Sequence, residues 1–303
     1  MAKPSNLMHG KICLVTGATS GIGQVTARAL AEQGATVIVV GRNREKSAAT
    51  VSQIQQQTGN PAVEFLLADL SSQQAIRQLV QQFQSRYQRL HVLVNNAGAV
   101  FGQRQESVDG IEMTLAVNYL APFLLTNLLL DTLLASAPAR IINVSSGLHT
   151  GARIELDNLQ GQRRYVGFQF GQSAYGQAKL ALIMFTYELA RRLAGTGVTV
   201  NALSPGMVAT NLGRDAGGFM SLMKRLADLF ALSPEEGAQT SIYLATSPEV
   251  EGVSGQYFDK KKAVPSSPAS YDQAVASQLW RVSEAMTGLR PPPRIPEGIQ
   301  IVH

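Results

Sequence analysis

Short runs of β-branched and aliphatic residues alternate along this chain with longer stretches whose apolar positions recur at helical spacing. KICLVT, ATVIVV, VEFLLA, HVLVNNA, RIINVSS and GVTVNALSP predict strands, and GQYF near 255–258 predicts a short last one. Helical period fills the gaps near 22–33, 43–57, 72–88, 107–135, 173–194 and 234–246, and returns in PASYDQAVASQLWRVSEAMTGL, which closes at Gly288. Strands this continuously apolar are covered on both faces, and strands separated by helices join in parallel through right-handed crossovers. The expectation is an α/β fold, a Rossmann-type doubly wound parallel sheet of about seven strands flanked by helices. Such a sheet offers its ligands the C-terminal ends of the strands.

Composition adds bounds. The chain has 303 residues, 45% hydrophobic and 16% charged, which suits one large globular domain. We expect an N-terminal extension over 1–10, a single domain over 11–288 and a proline-rich tail over 289–303. The net charge is +5, yet the basic residues are dispersed and only Lys260, Lys261 and Lys262 form a run, so no nucleic-acid partner is expected. Cys13 has no partner for a disulfide or a thiolate site, and His9, His91, His149 and His303 lack ligand spacing, so no metal is expected. His149, in SSGLHTG, either lines the substrate pocket or faces solvent. No stretch reads as a signal peptide. The longest apolar segment, YLAPFLLTNLLLDTLLASA, carries Pro122, Asn127 and Asp131, so a buried helix, no membrane span and a cytoplasmic location are expected.

The first candidate chemistry lies in TGATSGIG. Gly17, Gly21 and Gly23 fall between a strand and a helix, where glycine lets the backbone approach a pyrophosphate that the helix N-terminus attracts. The spacing GxxxGxG differs from GxGxxG. About twenty residues on, where an NAD site carries a carboxylate for the ribose 2′-hydroxyl, VVGRNREK presents Gly41 and then Arg42. An arginine there pairs with a 2′-phosphate, which favours NADP (NADPH), with Arg42, Asn43 and Arg44 near the phosphate. In YGQAK, Tyr175 and Lys179 are four residues apart on a helix and project together. A nearby ammonium favours a phenolate and turns Tyr175 into a usable acid or base.

With TGATSGIG, ADL at 68–70, NNAG at 95–98, Asn118 in VNYL, NVSS at 143–146, YGQAK and SPGMVAT in order, the chain resembles the short-chain dehydrogenases/reductases from about Lys11 to Gly288. The resemblance implies a catalytic set of Asn118, Ser146, Tyr175 and Lys179, with Ser146 holding the substrate oxygen and Asn118 joined to Lys179 through water. It also implies a cofactor bed. Thr19, Ser20 and Ile22 lie in the glycine turn, Asp69 and Leu70 border the adenine, and Asn95, Ala97 and Gly98 flank its ribose. Lys179 reaches the nicotinamide ribose, and Pro205, Gly206, Val208 and Thr210 line the nicotinamide. Twenty-eight residues separate Ser146 from Tyr175, about twice what many members use. This insertion, with DNLQG, resembles the retinol dehydrogenase branch, which implies a lipophilic aldehyde, ketone or alcohol substrate under a flap at 211–230. Ketoacyl thioester or small-carbonyl reduction, and NADP sensing without turnover, are the alternatives. A homodimer or homotetramer formed through the helices after strands four and five is also implied.

Overall fold

The computed structural model describes residues 6–167, 172–206 and 232–289. Its strands are β1 (Ile12–Thr16), β2 (Thr36–Gly41), β3 (Val63–Leu67), β4 (Val92–Asn95), β5 (Ala139–Val144), β6 (Val198–Ser204), β7 (Tyr257–Asp259) and β8 (Lys262–Ala263). They form one sheet in the order β3-β2-β1-β4-β5-β6-β7-β8, parallel throughout except for β7 with β8. The eighth strand is an addition to the expected seven. Two residues after a turn carry no periodicity to read, and the turn itself holds Lys260 and Lys261 at φ 47° and 65°.

Between these strands run α1 (Gly21–Glu32), α2 (Arg44–Thr58), α3 (Gln73–Arg86), α4 (Met113–Leu115), α5 (Ala121–Leu128), α6 (Leu130–Leu134), α7 (Ala174–Arg192) and α8 (Pro234–Thr246), and α9 (Gln273–Thr287) follows the last of them. Successive strand residues point to opposite faces and so supply two cores. Leu14, Ile38, Leu93, Ile141 and Val200 pack with Leu79 of α3, Phe123 of α5 and Leu182 of α7. Cys13, Val15, Val37, Val39 and Ile142 pack on the other side with Leu30 of α1, Ile54 of α2 and Leu244 of α8. Strand order reverses between β1 and β4, which opens the crevice where a doubly wound sheet binds its ligand.

The segment expected as a single helix over 107–135 starts later and is interrupted. The Ser107 N–H donates to the Ile111 carbonyl at 2.7 Å, Glu106 bridges to Glu112, and Gly110 sits at φ 70°. The buried Glu112 carboxylate then accepts from the N–H groups of Thr114 and Leu115 at 2.8 and 2.7 Å and starts α4. Residues Ala116–Leu120 widen into a π-helical turn before α5. Apolar spacing shows none of these events, because a side-chain cap and an extra residue per turn leave the hydrophobic pattern nearly unchanged.

Helix α9 lies across α5 and α7. Trp280 packs edge-on against Phe123 (centroids 5.1 Å apart) and beside Phe185 (5.6 Å), while the Arg192 guanidinium covers its ring at 3.8 Å. Tyr119 and Ser283 share a 2.7 Å hydrogen bond, and the Arg77 guanidinium donates to the Thr287 carbonyl.

Candidate active site

At its C-terminal end β1 turns through Gly17 (φ 64°) and Gly21 (φ 56°), values that favour glycine. A Cβ on Gly17 would stand 2.8 Å from the Ala97 Cα, and one on Gly23 would stand 2.5 Å from the Gly17 carbonyl and closer still to Asn96 Nδ2. The turn is therefore pressed against the end of β4. Thr16, which the sequence did not single out, holds that contact: its hydroxyl accepts from the N–H groups of Asn96 and Ala97, each at 3.0 Å.

Six helices have twelve or more described residues, and five of them carry a side-chain cap, from Asn43, Ser72, Ser173, Ser233 and Asp272. Helix α1 does not. Ser20 occupies its N-cap without a capping hydrogen bond, so the N–H groups of the first turn, beside Thr19, Gly21 and Ile22, stay available to an anion. The buried Ile22 side chain packs on Val25 and Ala238, which leaves its backbone to face the turn. This bare helix end, pressed against β4, fits a dinucleotide pyrophosphate.

At the end of β2, a Cβ on Gly41 would stand 2.6 Å from both Ser47 Oγ and Thr19 Cγ2, so a carboxylate side chain has no room there. Arg42 and Asn43 are exposed, Asn43 capping α2 through Lys46, and the Arg44 guanidinium lies 5.9 Å from the Phe65 ring. The exposed Asp69 carboxylate accepts from the N–H and hydroxyl of Ser71, and Leu70 beside it is half-buried. Ala97 and Gly98 line the crevice end of β4. Asn95 behaves differently: its buried side chain points into the protein, donating to Thr126 Oγ1 at 3.0 Å and to Asn143 Oδ1 at 2.8 Å. Asn143 in turn donates to Thr186 Oγ1 at 2.9 Å, so a chain of polar contacts ties β4 and β5 to α7. Pro205 and Gly206 follow β6, whereas Val208, Thr210 and the expected flap at 211–230 lie outside the described residues, as does the tail beyond Leu289.

Tyr175 and Lys179 stand on the first turns of α7 and are buried, with Lys179 Nζ 5.6 Å from the phenol ring centroid. Two bonds stitch Lys179 to β5. Its Nζ donates to the Val144 carbonyl at 2.9 Å, and its own carbonyl accepts from Ser145 Oγ at 2.9 Å. Asn118 sits in the π turn, donating to the carbonyls of Ala99 (2.8 Å) and Thr114 (2.9 Å) and accepting from the Ala99 N–H. A Cβ on Gly98 would meet Asn118 Oδ1 at 2.9 Å and Lys179 Nζ at 3.4 Å, so the three residues meet at one point. Ser146, half-buried after β5, is hydrogen-bonded to Tyr175. Its Oγ also accepts from the Leu148 N–H at 3.2 Å.

Burial dominates the titration of this pair. Desolvation pushes the Tyr175 phenol up to about 12, against a smaller lowering by Ser146, and pulls the Lys179 ammonium down to about 8. The expectation of a phenol lowered by the ammonium is corrected here: loss of water raises the phenol, and the lowering that opposes it comes from Ser146. Tyr175 is a protonated acid at neutral pH.

The insertion after Ser146 docks on the Asn118 helix. Tyr165 donates to the Phe101 carbonyl and to Glu112 Oε1, each at 3.2 Å, and shares a 3.1 Å bond with Thr114 Oγ1. Gln160 accepts from the Glu112 N–H and, through its carbonyl, from Arg104 Nε. These contacts were invisible in the sequence, because no spacing rule links residues about fifty positions apart. Tyr165→Phe removes the hydroxyl but not the ring, and we expect it to lower the unfolding free energy by about 1–2 kcal/mol, measured by urea denaturation. Among the described residues no group of three His, Cys, Asp or Glu could hold a metal, and no helix is long and apolar enough to cross a membrane.

A doubly wound sheet with an uncapped helix at its nucleotide crevice and a Ser, Tyr and Lys set beside it defines a nicotinamide-dependent oxidoreductase. The chain belongs to the short-chain dehydrogenase/reductase family. A family model described as Enoyl-(Acyl carrier protein) reductase matches residues 17–259. Human polyprenol dehydrogenase is 44% identical over 286 residues, covering 92% of this chain and 86% of its own. Human retinol dehydrogenase 14 is 45% identical over 300 residues, covering 93% and 88%. Among solved structures, the RhlG/NADP active-site complex of Pseudomonas aeruginosa superposes with a TM-score of 0.67 at 31% identity, covering 84% of this chain and 96% of its own.

Proposed function

We propose that the protein is an NADP-dependent carbonyl reductase acting on lipophilic aldehydes or ketones, with Tyr175 as the general acid. The observation that carries the reading is the convergence of Ser146, Tyr175, Lys179 and Asn118 at one end of the sheet. The reduced nicotinamide supplies a hydride when bound. The chain's residues manage the oxygen and the proton. Ser146 holds the substrate oxygen as negative charge develops, and Tyr175 releases its phenolic proton to it. A phenol near 12 still gives its proton readily to an alkoxide, whose basicity is of the order of hydroxide, the conjugate base of water at about 15.7. Lys179, anchored on Val144, stabilises the resulting phenolate and would hold the nicotinamide ribose, and Asn118 fixes the backbone at Ala99.

The lipophilic substrate is supported by the names of the relatives, which act on polyprenol and retinol. The preference for NADP is supported by Gly41, where a carboxylate has no room, and by the exposed Arg42 after it. A charge-assisted contact to the 2′-phosphate contributes about 1.5–3 kcal/mol, so Arg42→Ala is expected to weaken NADPH about 10- to 100-fold and leave NADH unchanged. Fluorescence titration with the two reduced cofactors measures this directly. A homodimer or homotetramer would need a surface other than the faces of α5 and α7 that Phe123 and Phe185 present, because Trp280 of α9 covers them.

A further inference from the structure

His149 neither faces solvent nor is left loose beside the substrate pocket. Its ring is buried, packed edge-on against Tyr257 with centroids 5.0 Å apart, and both nitrogens meet backbone groups. Nε2 accepts the Ser267 N–H at 3.0 Å, and Nδ1 lies 2.7 Å from the Ser146 carbonyl oxygen. These partners dictate the tautomer. An amide N–H can only donate and a carbonyl can only accept, so the imidazole is neutral and carries its proton on Nδ1. Burial favours the same form by holding its pKa below the ordinary histidine value.

The two anchors belong to different parts of the fold. Ser146 begins the short turn Gly147–His149, which His149 closes twice, with its backbone N–H at 3.2 Å and its ring on the same carbonyl. Ser267 belongs to a strap that is tied to α7: Tyr187 and Ser266 share a 2.7 Å bond, Ser266 and Ser270 one of 2.6 Å, and Ser270 donates to the Ser267 carbonyl. Tyr187 also stacks on Tyr271 of the strap. Because α7 carries Tyr175 as well, the contacts close a ring that runs from Ser146 through His149, the strap and Tyr187 back to Tyr175.

We propose that His149 is a positioning residue that sets Ser146 against Tyr175, by clamping the Ser146 carbonyl to the strap through its neutral, Nδ1-protonated ring. This inference rests on the reductase reading above and adds a residue outside the Ser, Tyr, Lys and Asn set. The ring touches no reacting atom. It acts by fixing the main chain from which the Ser146 hydroxyl projects.

Steady-state reduction of decanal by NADPH tests the proposal in wild type, His149→Leu, His149→Asn and Ser267→Pro. Ser267 has φ −63°, which proline accepts, and the proline ring carbon then takes the place of the amide hydrogen that points at Nε2, so that substitution breaks the far anchor by removing the donor and pushing the His149 ring off it while leaving residue 149 a histidine. Misplacing a reacting group by about 1 Å costs on the order of 100-fold, so His149→Leu is expected to lower kcat about 30- to 100-fold. KM and NADPH affinity should stay within about threefold, since the loss falls on the chemical step. His149→Asn, which keeps an N–H where Nδ1 stood, should recover about tenfold over the leucine variant, and Ser267→Pro should lose about three- to tenfold. Unchanged kcat in His149→Leu, or losses in all variants that track melting temperature and NADPH affinity instead, overturn the proposal.

Two-bond proton–nitrogen NMR spectra of the histidine rings provide a readout independent of turnover. A neutral Nδ1–H tautomer at His149, lost from its bonded shifts in Ser267→Pro, supports the clamp; an Nε2–H or charged ring at neutral pH refutes it. Wild-type protein that shows the tautomer yet reduces no carbonyl refutes the reductase reading and leaves the clamp geometry standing. If His149→Leu fails to fold, Ser267→Pro and the ring spectra decide the matter.

Discussion

Lys179→Met is expected to abolish carbonyl reduction and at the same time to stabilise the cofactor-free protein at neutral pH. The loss of activity, at least about 1,000-fold in kcat/KM, follows from removing the cation that offsets the Tyr175 phenolate as its proton leaves. The gain in stability follows from burial. Lys179 is held near 8 in the folded chain against an ordinary 10.5, so folding at neutral pH takes a charge out of water with a backbone carbonyl as its bonded partner. Its folded pKa lies below its unfolded value, so the unfolded chain binds more protons in between and stability rises with pH from about 8 to 10.5. The methionine variant removes that dependence. Its advantage, about 1–3 kcal/mol, should be full below pH 8 and should fade toward pH 10.5. Thermal unfolding of both proteins at pH 7 and pH 10, beside the kinetic assay, measures the two effects in one variant.

Tyr175→Phe should lower kcat at least about 1,000-fold while NADPH binding stays within about threefold, because the substitution removes the transferable proton and little else. The ring, buried at the start of α7, keeps its packing in phenylalanine. Ser146 loses one partner but retains the Leu148 N–H. A cofactor titration and a turnover assay on the same preparation separate binding from chemistry.

What the sequence could show of this site depended on how local the signal was. Gly17, Gly21 and Gly23 announce a backbone brought against a ligand because glycine is the residue such a turn requires, and Tyr175 and Lys179 announce a shared face because four residues make one helical turn. Resemblance to a family added Asn118 and Ser146, which have no local signature of their own. Asn95 shows the limit of that route: its motif suggests the cofactor edge, while the folded strand turns its amide inward to Thr126 and Asn143. Tyr165 ties the insertion to Glu112, and His149 ties the Ser146 turn to Ser267, through hydrogen bonds between residues far apart in sequence that no periodicity encodes. The acidity of Tyr175 is hidden for a similar reason, since a neighbouring charge is legible in the sequence and burial is not.

The most direct test of the account follows NADPH consumption by its near-ultraviolet absorbance with straight-chain aldehydes of increasing length, in wild type and in Tyr175→Phe. The account predicts turnover that rises with apolar length in the wild type and is lost in the variant. Tight NADPH binding with no turnover of any aldehyde, or turnover that survives in Tyr175→Phe, would contradict it.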